Sequence, residues 1–194
     1  MPSVSALCVF CGSSNAAPAV YRDAAQKLGK ILGACGIHLV YGGGNVGLMG
    51  AVANATLAAG GKVTGIIPRH ILAAEVGHVG LTELIVVDTM HQRKLKMFEM
   101  SDAFVALPGG VGTLDETIEI LSWRTLGLHD KPLVLINTAG YWTPLVNLLE
   151  HTVRNHFSTM ETREFYSVAA NVDDLLGVLE TWSRPSRRSR EDVI

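Results

Sequence analysis

The segment Ala103-Phe104-Val105-Ala106-Leu107-Pro108-Gly109-Gly110-Val111-Gly112-Thr113-Leu114-Asp115-Glu116 is an apolar run that ends in a glycine-rich turn and passes into a helix-forming stretch. An apolar run without alternation describes a strand covered on both faces, as in a parallel sheet with helices above and below. The same grammar repeats on either side of it. Strands are expected at Ala6 to Phe10, Ile37 to Tyr41, Val63 to Ile67, Leu84 to Val87, Ala103 to Leu107, Leu133 to Ile136 and Tyr166 to Val168. Helices are expected at Val20 to Ala34, Val46 to Ala59, Met90 to Ser101, Leu114 to Leu126, Tyr141 to Asn155 and Val172 to Trp182. Strand then helix, repeated, predicts an α/β fold: a single doubly wound, Rossmann-like domain with a mostly parallel sheet of about seven strands flanked by helices. That domain is expected over residues 1–183. The Ser/Arg/Pro-rich stretch 184–194 is expected to be a disordered basic tail.

Composition agrees with one α/β unit. The chain has 194 residues, of which 48% are hydrophobic and 6% aromatic, and its 20 glycines suit many tight strand-to-helix turns. A net charge of −2 argues against bulk nucleic-acid binding, so an anionic ligand would need a local cluster of donors. The start of the chain lacks a basic, apolar secretory signal, and no segment is apolar for long enough to span a membrane. Cys8, Cys11 and Cys35 are an odd, sparse set, which fits a reducing compartment, so a cytoplasmic location is expected. Cys8-x-x-Cys11 has no second pair, and on a strand that spacing turns the two side chains to opposite faces. The seven histidines include no His-Glu-x-x-His or similar set, so no metal site is expected.

Ligands of doubly wound sheets sit at the carboxyl ends of the strands, and three glycine-bearing turns fall there. The first is Cys11-Gly12-Ser13-Ser14-Asn15, where small residues and hydroxyls bring donors close to an anion. The second, Gly42-Gly43-Gly44-Asn45-Val46-Gly47-Leu48-Met49-Gly50, contains a formal G-x-G-x-x-G. It follows the second strand, and no acid stands near Ile67 to hold a ribose 2′-hydroxyl, which counts against NAD, although Arg69 leaves an NADP 2′-phosphate open. The third is Pro108 to Glu116. Its glycines expose successive N–H groups at a helix start, but it has no Walker lysine, which favours a monophosphate over a triphosphate. Thr113-x-x-Glu116 also reads as a capping box, with Asp115 complementing the helix dipole, so Glu116 is either cap or catalyst on this pattern.

Met90, Arg93, Met97 and Met100 share one helical stripe, which places an arginine in an apolar face; it either snorkels to the surface or meets an anion. Lys96 and Glu99 read as a solvated pair on another face.

Cys11-Gly12-Ser13-Ser14, the triple-glycine turn, Met90-His91-Gln92-Arg93-Lys94, the Pro-Gly-Gly-x-Gly-Thr-x-x-Glu turn and Gly127-Leu128-His129-Asp130-Lys131-Pro132 together resemble the LONELY GUY family of cytokinin riboside 5′-monophosphate phosphoribohydrolases. The resemblance runs from about Leu7 to Val168. It implies a Rossmann-like dimer that takes a nucleoside 5′-monophosphate, AMP or an N6-modified AMP, and releases free base and ribose 5-phosphate without a cofactor. It implies catalytic roles for Arg93 and Glu116. It implies nucleotide contacts from Lys94, from Gly110, Val111, Gly112, Thr113, Leu114, Asp115 and Glu116, and from Glu75 and Ser122. The first two glycine turns add Gly12, Ser13, Gly43 and Gly44 as substrate-binding candidates. Val111, Asp115 and Ser122 stand where plant members usually carry Tyr, Glu and Thr. Two other classes stay in view. A pyridoxal-phosphate decarboxylase needs a Schiff-base lysine, for which Lys94 and Lys131 are poor candidates, and a non-catalytic nucleotide sensor or carrier would bind without turnover. The apolar helices flanking the site predict a homodimer packed through Met90 to Ser101 and Leu114 to Leu126.

Overall fold

A computed structural model describes residues 4–72 and 77–182. The expected tail at 184–194 and the site candidate Glu75 lie outside the described residues.

Seven strands form one sheet: β1 Ala6–Phe10, β2 His38–Tyr41, β3 Val63–Pro68, β4 Glu83–Val87, β5 Ala103–Ala106, β6 Leu133–Ile136 and β7 Ser167–Ala169. Their order is β4-β3-β2-β1-β5-β6-β7, and every pairing is parallel. Six α-helices accompany them among the described residues: α1 Ala19–Cys35, α2 Gly47–Ala58, α3 Met90–Glu99, α4 Val111–Thr125, α5 Thr143–Arg154 and α6 Leu175–Thr181.

The apolar runs explain this layering. Side chains alternate across each strand, so Leu7, Val9, Leu39, Tyr41 and Val105 face a core built with Leu28 and Leu32 of α1, Val52 of α2 and Leu175 of α6. Cys8, Phe10, Val40, Ile66 and Phe104 face the other way, onto Met97 of α3 and Ile120 and Leu121 of α4. The two cysteines thus part as expected, Cys8 to one core and Cys11 to the other. Trp142, the N-cap of α5, and Leu145 within it extend the second layer over Ala106 and Leu135.

The chain builds outward from β1 to β4 and then returns to the free edge of β1, where Leu7 pairs with Ala103 and Phe10 with Ala106. Asp102 fastens this junction. Its carboxylate accepts the Ser5 and Ala6 N–H groups, both at 2.9 Å. The order therefore reverses between β1 and β5, and the turns leaving those strands diverge to opposite faces. Such a switch point leaves a crevice at the carboxyl ends of the strands.

Helix starts differ from expectation at α4 and α5. Helix α4 begins at Val111 with Gly110 as its N-cap and no side-chain cap, so Thr113 lies inside the first turn and the expected Thr113–Glu116 capping box is absent. Asp115 falls past that first turn. A capping box does occur one helix earlier: the Thr89 side chain accepts the Gln92 N–H, while the Gln92 side chain accepts the Thr89 N–H. Helix α5 starts at Thr143 and not at Tyr141, because a 3-10 turn at Thr138–Gly140 precedes it, with Ala139 at φ 53° and Gly140 at φ 75°.

Candidate active site

The three glycine turns are laced together at the switch point. Gly12 N–H donates to Pro108 O at 3.0 Å, Leu48 N–H donates to Gly12 O at 2.9 Å, and Gly47 N–H donates to the Asn15 side-chain oxygen at 2.8 Å. The first and third turns touch backbone to backbone. A Cβ on Gly12 would lie 3.1 Å from Gly109 Cα, tighter than ordinary packing, and one on Gly109 would lie 2.1 Å from Thr113 Oγ1 and 2.8 Å from Gly12 N, so position 109 admits no side chain.

Between these turns lies a cavity of about 220 Å³ lined by Val9, Cys11, Gly12, Ser13, Gly42, Met49, Arg93, Gly110, Val111, Gly112, Thr113 and Glu116. Its rim is the amino terminus of α4. The first intrahelical bond there, Leu114 N–H to Gly110 O at 3.0 Å, leaves the amides of Val111, Gly112 and Thr113 ahead of the ladder. Those amides and the positive end of the helix dipole favour an anion. A Cβ on Gly110 or Gly112 would meet nothing within 4 Å, and neither has positive φ, so the fold itself does not require glycine at either position. The space is left at the mouth of the cavity.

Arg93 does not snorkel. It is only 5% exposed. Its Nε–H donates to Ile66 O at 3.1 Å and its Nη2 to Gly42 O at 3.0 Å, which ties the guanidinium to the ends of β2 and β3 and fixes its plane in the cavity wall. Gly42 makes this possible, since a Cβ there would lie 2.0 Å from Arg93 Nη2. Glu116 projects from the second turn of α4 into the same cavity. Beneath them, burial pushes the Cys8 thiol up, the Glu116 charge pushes it further, and a hydrogen bond with Ser101 and the Arg93 charge oppose the rise. Cys8 is therefore a neutral thiol packed under two charged groups.

Of the sequence candidates, Gly12, Ser13, Arg93, Gly110, Val111, Gly112, Thr113 and Glu116 come together on this cavity. Others lie off its wall. Lys94 turns away to α4, where its ammonium meets Asp115 at 3.1 Å and Glu119 at 3.0 Å with the side chain only 14% exposed. Burial lowers the Lys94 pKa, but hydrogen bonds to Glu119 and Asp115 outweigh it and hold it above the ordinary lysine range. Asp115 is thereby an ion-pair partner of α3. Leu114 faces a separate recess with Tyr141, Trp142 and Leu148. Ser122 is exposed two turns further along α4. Gly43 backs onto β3, its carbonyl accepting His78 N–H at 3.1 Å, and Gly44 bridges to Gly77.

Sequence reasoning missed Gly42, Met49, Val9 and Cys11. Gly42 was legible as the first residue past its strand. The other three depend on which way a strand or helix face turns.

A pyridoxal phosphate reading does not fit these residues. Among the described residues no lysine lines the cavity; Lys94 is held in ion pairs, and Lys131 Nζ donates to Phe98 O at 2.7 Å while sitting over the Phe98 ring. Among the described residues, no cluster of His, Cys, Asp and Glu has the geometry of a metal site, and no helix is long and apolar enough to cross a membrane.

Comparison with known proteins agrees with the geometry. The fold is shared with the molybdenum cofactor carrier protein of Chlamydomonas reinhardtii, at a TM-score of 0.70 and 20% identity, over 91% of this chain and 96% of that one. A probable cytokinin riboside 5′-monophosphate phosphoribohydrolase of Oryza sativa subsp. japonica is 45% identical over 177 residues, 91% of this chain and 72% of its own. The cytokinin riboside 5′-monophosphate phosphoribohydrolase of Rhodococcoides fascians is 44% identical over 181 residues, 93% of this chain and 91% of its own. Residues 49–179 match the family described as possible lysine decarboxylase. With Arg93, Glu116 and the glycine turn gathered on one cavity, the chain belongs to that family, beside its cytokinin riboside 5′-monophosphate phosphoribohydrolases.

Proposed function

We propose that the protein hydrolyses the N-glycosidic bond of a nucleoside 5′-monophosphate, AMP or an N6-modified AMP of the cytokinin type, to free base and ribose 5-phosphate. The observation that carries this is the meeting of Arg93, Glu116 and the amino terminus of α4 on one cavity. The names of relatives that align over most of this chain support the same reaction.

The chemistry assigns each part a task. The α4 amides and the Gly12–Ser13 turn hold the 5′-phosphate, a remote anchor whose binding energy positions the reacting bond. Cleavage of the C1′–N9 bond builds positive charge on the sugar, which the Glu116 carboxylate stabilises while it orients the attacking water. The water oxygen bonds to C1′ and the departing base takes a proton. Arg93, its plane fixed by two carbonyls, orients the substrate. Exposed Leu95, Val111, Leu114 and Ile118 on α3 and α4 support a homodimer through these helices.

Product chromatography with AMP tests the reading. Glu116→Gln keeps the side-chain shape and is expected to slow base release about 100- to 10,000-fold. AMP binding with no base released by the wild-type protein would turn the assignment to a carrier. Release from adenosine as readily as from AMP would remove the phosphate anchor.

A further inference from the structure

We infer that Tyr141 is a positioning residue for the anion cradle: its hydroxyl holds the Gly109 carbonyl so that the next amide, Gly110 N–H, faces the Arg93–Glu116 cavity. The inference rests on the phosphate-anchor reading above. The hydroxyl donates to Gly109 O at 2.5 Å. In a trans peptide the carbonyl of one residue and the N–H of the next point to opposite sides of the chain. Gly109 lines the two recesses beside Tyr141 and not the Arg93 cavity, whereas Gly110 lines that cavity as well. Drawing the carbonyl toward Tyr141 therefore turns the amide toward the ligand.

The peptide in question joins two glycines, the pair with the fewest barriers to rotation. Flipped by half a turn, it would aim a carbonyl oxygen at a bound phosphate and lose an N–H donor. Gly110 offers no side chain to resist this, since a Cβ there would meet nothing within 4 Å. On its far side Gly110 is fixed by Leu114 N–H to Gly110 O at 3.0 Å; on its near side the Tyr141 hydroxyl pins the carbonyl.

The surroundings hold Tyr141 for this task. Its ring meets Tyr21 edge-on at 5.4 Å and Trp142 at 5.1 Å. Trp142 is anchored in turn, Nε1–H to Ala106 O at 3.0 Å and its backbone N–H to the Asn137 side chain at 2.7 Å. The turn that delivers Tyr141 puts Ala139 at φ 53°, a conformation that costs a residue with a side chain, and Gly140 at φ 75°. The turn departs from ordinary backbone just before the tyrosine.

Tyr141→Phe in the full chain tests the assignment, because it removes the hydroxyl and keeps the ring contacts. Calorimetry with AMP, inorganic phosphate and adenosine, together with AMP steady-state kinetics, supplies the readouts. The variant is expected to bind AMP and phosphate about tenfold more weakly, to raise KM for AMP by the same factor with kcat nearly unchanged, and to bind adenosine as before. Loss of this part-buried hydrogen bond is expected to lower the melting temperature by about 2–4 °C. Unchanged AMP and phosphate affinity would overturn the proposal, and so would an equal loss for adenosine, which marks a purely structural staple. If the wild-type protein releases no base from AMP, the function above fails, and the Tyr141 proposal is then decided by the phosphate and AMP affinities alone.

Discussion

Gly42 and Arg93 are best understood as one unit. The guanidinium lies where a side chain on residue 42 would be, with Nη2 2.0 Å from the position of a Cβ. Gly42 lacks positive φ, so alanine is compatible with the backbone and conflicts only with the arginine. Gly42→Ala is expected to displace the guanidinium and cut base release about 10- to 100-fold, as a misplaced catalytic group does. Kinetics on the variant check this, and full activity would show that the arginine plane is not critical. Removing Arg93 itself is a blunter test. It leaves the Ile66 and Gly42 carbonyls without these donors, which costs about 1–3 kcal/mol each when buried groups go unpaired. Arg93 was recognisable from the sequence as a charge in an apolar stripe. Its partners were not, because they are main-chain carbonyls on strands far away in the chain. Lys94 and Asp115, which the family resemblance implies as nucleotide contacts, reach each other across two helices, a pairing that no sequence pattern announced.

At the scale of elements, α3 sets the direction of Arg93 from its first turn. The capping box of Thr89 and Gln92 fixes where that helix begins. Thr89→Ala is expected to cost about 1 kcal/mol of stability, read as a lower urea midpoint at constant slope. The central strands were legible almost to the residue, because burial on both faces leaves continuous apolar runs that few other structures produce. Helix starts were less so. Helix α4 opens three residues before the expected Leu114 because its N-cap is Gly110, which carries no side chain to announce it. The pattern Thr113-x-x-Glu116 imitated a cap inside a helix already under way. This bears on function: Glu116 does not cap the helix, and it lines the cavity wall.

At the scale of the whole molecule, three histidines make stability depend on pH. Burial lowers the pKa of His38, His78 and His129 in the folded protein. His129 is held most firmly, with Nε2 on Ile120 O at 2.9 Å and Nδ1 accepting Lys131 N–H at 3.1 Å, so its ring is neutral. A base whose folded pKa lies below its unfolded value takes up protons on unfolding. The stability these histidines contribute is therefore complete above about pH 6.5 and is lost as pH falls through their depressed folded values. Urea unfolding at about pH 7.5 and about pH 5.5 is expected to give a lower free energy at the acid end. The apolar stripe on α4 predicts association: light scattering should give the mass of two chains, and Ile118→Glu, at a side chain 38% exposed, should halve it. Finally, the reversal of strand order has a kinetic consequence. Leu7 must wait for Ala103 before β1 gains its second neighbour, so during synthesis the first hundred or so residues carry an open, apolar strand edge. No half-made chain owns the cavity, because its two walls come from opposite ends of that wait. A nucleotide held in this cavity would have affinity only for molecules that have closed the sheet, and its presence in a refolding mixture would draw the population toward completion without speeding the early steps.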